Sequence, residues 1–179
     1  MSEKEQNSDK AVVKNQLLHE DPEKVLEAIK AAEEIGDESF VEPLILAYRK
    51  WNEEEIQDSI SKLFADLHNS KAMNLFVKSL LKSPLKETDA NLLSAIWQGK
   101  YELKSNLAPI LRSGFSSGYL CAFETLSIAE NLNGQFEEEH LLEAQLTLKE
   151  LQEKVEDQQI KTWISQSLVI IQNSVSPEE

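Results

Sequence analysis

The sharpest arrangement of reactive residue types is Gly114-Phe115-Ser116-Ser117-Gly118, a literal G-x-S-x-G. That spacing lifts a nucleophilic serine when it sits on a strained turn between a strand and a helix. Here the preceding "NLAPILRS" has helical spacing, so no strand leads in, and His140 has no parallel sheet to bring it to Ser116. The stretch reads as a Gly/Ser joint in which Ser116 or Ser117 caps the next helix. His19, His68 and His140 are never three or four residues apart, which excludes a zinc pair on one helix. Cys121 is the single cysteine, so neither an intramolecular disulfide nor a cysteine metal cluster can form. It lies in "YLCAF" among apolar residues and reads as a buried thiol. Glu137, Glu138 and Glu139, with Glu143 one turn on, could hold a divalent cation. Acids at a helix start are also favoured by the dipole and normally stay solvated. No Walker A and no G-x-G-x-x-G is present. The expectation is a protein with no catalytic residues, no cofactor and no metal.

Charge is distributed less evenly. The net charge is −14, from 18 Lys and Arg against 32 Asp and Glu. Such an excess repels nucleic acid and anionic membrane. Yet "SKAMNLFVKSLLK" carries Lys71, Lys78 and Lys82 and no acid, Arg49 and Lys50 close an earlier helical stretch, and Lys104 and Arg112 lie on a later one. Two readings stand. The cations could form a stripe that receives an acidic peptide, or they could serve helix C-termini, where Lys and Arg satisfy carbonyls and the dipole. Under the first reading the partner-binding residues are Arg49, Lys50, Lys78, Lys82 and Arg112. Trp51 is added as the tryptophan best placed for a contact.

The elements that must position these residues are helical. Gly and Pro number 5 each, apolar residues make up 41%, and no segment alternates as a strand would. In "DPEKVLEAIKAAEEIG" Val25, Ala28, Ile29, Ala32 and Ile35 share one face, with Asp21 as N-cap, Pro22 at the first position and Gly36 as the stop. The next helix opens at Ser39, with Glu42 at capping-box spacing and Pro43 in its first turn. Asn52 caps the one after. About ten helices with short joints follow in this manner, beginning with a short one at "KAVVKNQLL".

The pattern repeats. Ala31 falls on Leu63 and Trp97, and Ile35 on Leu67 and Tyr101. Val41 falls on Met73 and Leu107, Leu44 on Phe76 and Ile110, and Ile45 on Val77 and Leu111, in steps of 32 and 34 residues. All five columns are apolar. The unit "AIKAAEEIGDESFVEPLI" resembles a HEAT repeat in the short form of about thirty residues found in phycobilisome-lyase-type arrays. The likeness is clear from Asp21 to Trp51, continues to Ser113 and fades beyond. It is shorter than the better-known period of about 40–47 residues.

The resemblance implies an all-α, right-handed α-α superhelix (α-solenoid) of about four to five stacked helical hairpins, with second helices lining a concave face. It implies a non-catalytic scaffold that binds another protein, and an acidic peptide on the concave face is the ligand the stripe suggests. The alternative within that fold is a bilin-lyase-like or DNA-glycosylase-like enzyme. No motif supports the first, and the acidic charge opposes the second.

The expected layout is a tail over 1–8, one domain over 9–175 and a tail over 176–179. Trp163 and its apolar neighbours on the last helix suggest a free apolar face, hence a monomer or a homodimer through that helix. "MSEKEQNSDK" lacks the apolar centre of a signal peptide, and no apolar run approaches the ~20 residues that cross a bilayer. The expectation is a cytoplasmic protein with neither membrane nor nucleic acid as partner.

Overall fold

Local signals start and stop the helices of the computed structural model, which describes residues 3–174. Ten α-helices are present among them and no strand: α1 (Glu3–Leu17), α2 (Pro22–Ile35), α3 (Val41–Lys50), α4 (Glu54–Ala65), α5 (Ser70–Leu80), α6 (Ala90–Gln98), α7 (Leu107–Phe115), α8 (Tyr119–Glu130), α9 (Glu138–Lys154) and α10 (Gln158–Ser174). Short 3-10 turns at Glu38–Phe40, Glu87–Asp89 and Lys104–Asn106 lead into α3, α6 and α7. The all-α class is as expected. The first helix is longer than "KAVVKNQLL" and begins inside the segment expected as a tail; the tail expected over 176–179 lies outside the described residues.

α2 begins and ends as its sequence dictates. Asp21 accepts the Glu23 N–H at 3.1 Å, Pro22 opens the helix, and Gly36 closes it at φ +63° with its N–H on the Ala32 carbonyl. The capping box at Ser39 does not form. Asp37 two residues earlier accepts the Ser39 N–H at 2.9 Å and starts the 3-10 turn instead, so α3 begins only at Val41. Asn52 likewise gives way to Glu53 as the residue before α4, without a side-chain cap. Gly114 lies inside α7 and not in a loop.

Packing sorts the helices into two rows. α2, α4, α6, α8 and α10 succeed one another along one row; α3 packs on α1 and on α5, and α7 packs on α9, along the other. The apolar columns supply the core between the rows. Leu44, Phe76 and Ile110 are buried, as are Ile45, Val77 and Leu111, and Val41 and Leu107 with Met73 half-buried between them. The column that ends the first helices is uneven: Tyr101 is buried, Leu67 half-buried and Ile35 exposed. Ala31, Leu63 and Trp97 pack half-buried against the core.

The free apolar face expected on the last helix is absent. Ile160, Trp163, Ile164 and Ile171 of α10 turn inward, and Tyr119 and Phe123 of α8 lie on the Trp163 ring at 4.8 and 5.7 Å between centroids. Its outer positions are mostly Gln, Ser and Thr, among them Gln159, Thr162, Ser165 and Gln166. Among the described residues no helix is long and apolar enough to cross a membrane.

Candidate basic groove

The stripe expected from sequence divides into residues that hold the fold and residues that stay open. Arg49, at the end of α3, turns inward. Its Nε and Nη2 each lie 3.0 Å from a different oxygen of the buried Asp89, Nη1 donates to Ser83 Oγ at 2.6 Å, and Nη2 also reaches the Leu80 carbonyl. Lys50 donates to the carbonyls of Leu18 and His19 beyond the end of α1, and its ammonium sits 5.4 Å from the Trp51 ring centre. Trp51 itself is half-buried against the core. Lys82 pairs with Glu42, and Arg112 donates to Glu150 and to Thr147 Oγ1. Arg49, Lys50, Lys82 and Arg112 therefore link one hairpin to another. Of the five cationic candidates, Lys78 alone has neither a side-chain hydrogen bond nor an ion pair among the described residues, and it is exposed.

Lys78 faces a groove of about 790 Å³ between α5 and the Lys100–Asn106 segment that leads into α7. Lys71, Asn74 and Lys78 of α5 form one wall; Lys100, Glu102, Lys104 and Asn106 form the other. Asn106 Nδ2 donates to Asn74 Oδ1 at 3.0 Å across it. Lys71 pairs with Glu38, whose carboxyl this hydrogen bond holds below the usual carboxylate range, while the Lys71 ammonium is raised in turn. Lys104 lies 3.2 Å from Glu102. Lys78 and Lys100 have no carboxylate partner among the described residues.

Lys100 is the member sequence spacing missed, and its backbone explains why it is there. α6 ends in a Schellman turn: the Lys100 N–H meets the Trp97 carbonyl at 3.2 Å, and the Tyr101 N–H meets the Ile96 carbonyl at 3.1 Å. Such a turn needs φ > 0 at the residue after the cap, usually glycine. Gly99 sits one residue too early to serve. A Cβ there would lie 2.6 Å from the Tyr101 ring and 2.8 Å from the Ala65 carbonyl oxygen, so close packing claims the glycine. The left-handed position falls to Lys100, at φ +53°. Lys104 adopts φ +46° four residues on.

Between the two lysines Tyr101 and Leu103 enter the core. The Tyr101 hydroxyl donates to the Phe64 carbonyl at 2.6 Å, and its ring meets Phe76 edge-on at 5.7 Å. Burial pushes the Tyr101 phenol above its ordinary range, so it stays a neutral donor. The short loop is thus pinned to α4 and α5, with both lysines displayed at the groove. The one legible trace is "QGKY", a glycine and a lysine in front of an aromatic.

The residues considered for catalysis are placed elsewhere. Ser116 ends α7 and is exposed; Ser117 Oγ donates back to the Ser113 carbonyl at 2.6 Å. Gly114 is required by helix packing, since a Cβ there would lie 1.8 Å from Thr125 Oγ1 of α8. The Cys121 thiol is buried, 3.2 Å from the Lys86 carbonyl, and burial pushes it up to about 12. Among the described residues no group of three or more His, Cys, Asp or Glu side chains is placed to hold a metal ion. Compared with models of protein families, with curated proteins and with solved structures, the chain matches none.

Proposed function

We propose that this chain is a HEAT-like, right-handed α-solenoid that binds another protein without catalysis, and that the groove between α5 and the Lys100–Asn106 segment holds an extended acidic segment of that partner. One observation carries the reading. A protein of net charge −14 gathers Lys71, Lys78, Lys100 and Lys104 around one cleft, two of them without a carboxylate partner among the described residues. Local positive potential in an acidic molecule selects short anionic segments over long polyanions, which meet the surrounding repulsion. The asparagine side chains that cross the groove supply donors and acceptors for a peptide backbone. The apolar columns of Leu44 and of Ile45, spaced 32 and 34 residues apart and buried at all three positions, support the hairpin array.

The test is calorimetric titration with a synthetic acidic peptide and, separately, with a short DNA duplex at low salt. Binding of the peptide is expected to weaken with salt and to fall at least about tenfold in a Lys78→Glu, Lys100→Glu variant. Salt-sensitive duplex binding tighter than peptide binding overturns the reading.

A further inference from the structure

The other row of helices carries a second, opposite surface. Tyr119, Leu120 and Phe123, all in the first turn and a half of α8, are 50%, 54% and 48% exposed. They are the densest group of exposed large apolar side chains among the described residues. They are also held in place. Both aromatic rings rest on Trp163, and the Leu120 N–H donates to Glu87 Oε1 at 3.2 Å. A rigid aromatic ridge loses little side-chain freedom on contact, which is the character of an interface anchor.

The charge beside the ridge decides what it fits. Glu87 stands at the foot of α6. One turn on, Asn91 begins a groove of about 880 Å³ between α4 and α6, lined by Glu54, Glu55, Asp58 and Asp66 with Lys62 the one cation. None of those four carboxylates is ion-paired among the described residues. Lys86 is exposed beside Glu87 and reduces the negative field only at that point. A second copy would bring the same acidic surface and a net charge of −14 against it, and an anionic bilayer would be repelled for the same reason.

We infer that the ridge and the acidic groove together dock a cationic amphipathic segment of a partner protein, its apolar residues on Leu120 and Phe123 and its Lys or Arg residues along α4. This surface is separate from the basic groove and stands or falls independently of it.

The probe is an 18-residue Leu/Lys amphipathic peptide, with Leu/Ser and Leu/Glu peptides of equal length as controls, titrated calorimetrically. The Leu/Lys peptide is expected to bind in a salt-sensitive manner. Leu120→Ser with Phe123→Ser should weaken it at least about tenfold, and so should Glu54→Gln with Asp58→Asn, the latter also flattening the salt dependence. Both pairs are exposed, and thermal melts check that the variants fold. Lys78→Glu with Lys100→Glu should leave this binding unchanged. Equal binding of the Leu/Ser peptide, or no change in the Leu120, Phe123 variant, overturns the proposal. So does sedimentation showing a reversible dimer that the same variant abolishes, since the occupant would then be a second copy.

Discussion

Arg49 grips Asp89 with two parallel hydrogen bonds of 3.0 Å, joining the end of α3 to the turn that opens α6. Asp89 is fully buried and also accepts the Lys86 N–H at 2.9 Å, so its carboxylate holds three donors in one place. The pair ties together positions forty residues apart in the chain. Arg49→Ala removes the cation and leaves the carboxylate buried, at a cost of about 3–5 kcal/mol. Arg49→Met combined with Asp89→Leu is expected to recover most of that loss, because no charge then stays buried. Urea unfolding of the three proteins measures it. A single variant as stable as the parent would show that Asp89 does not depend on Arg49.

Lys100 holds its left-handed backbone against its own preference. Lys100→Gly should stabilise the protein by about 1 kcal/mol, since glycine adopts that conformation without the Cβ conflict. For a chain of this size that raises Tm by about 2–4 °C. The same substitution removes one of the two unpaired cations of the groove and should weaken acidic-peptide binding several-fold. A gain in Tm with undiminished binding would take Lys100 out of the site.

Gly114 and Thr125 share a contact too close for any other pairing. Gly114→Ala is expected to destabilise by about 1–3 kcal/mol through overpacking of α7 on α8. Thr125→Ala should restore part of the loss, because it removes the Oγ1 that the new methyl meets. Ser116→Ala, at the centre of the same motif, should leave stability nearly unchanged. Thermal melts of Gly114→Ala, of Gly114→Ala with Thr125→Ala and of Ser116→Ala separate a packing glycine from a motif kept for a serine.

Asp37 supplies a dependence on acid. The hydrogen bond from Lys10, then those from Ser39, hold its carboxyl well below the usual carboxylate range. Its stabilisation is therefore complete above the unfolded-chain value of about 3.9 and drains away as the pH falls below that, toward the lower folded value. Lys10→Ala should cost about 0.5–1 kcal/mol near neutral pH, as a partly exposed pair does. It should also make stability fall less steeply between about pH 4 and pH 2. Chemical denaturation at a series of pH values gives both readings, and parallel curves for parent and variant would exclude Lys10 as the cause.

Periodicity carried the helices and the all-α class. Asp21, Pro22 and Gly36 bound α2 as written, and Leu44, Phe76 and Ile110 are core because a 3.6-residue pattern repeats in each hairpin. Helix starts were less legible where two caps compete, as at Asp37 and Ser39, since the winner depends on the turn that precedes the helix. The site was the least legible part. Arg49, Lys82 and Arg112 look alike in sequence to Lys78, but their carboxylates lie roughly forty residues away along the chain, a separation no local pattern reports. Lys100 was hidden because what places it at the groove is the space that Tyr101 and Ala65 deny to Gly99.

Across the lysine-lined cleft α5 meets the Lys100–Asn106 segment rather than α7 itself. On the opposite side α4, α6 and α8 pack without interruption, whereas this side is open along the cleft. Asn74 and Asn106 act as a latch across it, one hydrogen bond strong. A chain entering the cleft therefore has one side-chain bond to exchange for its own, and none of the buried columns takes part in it.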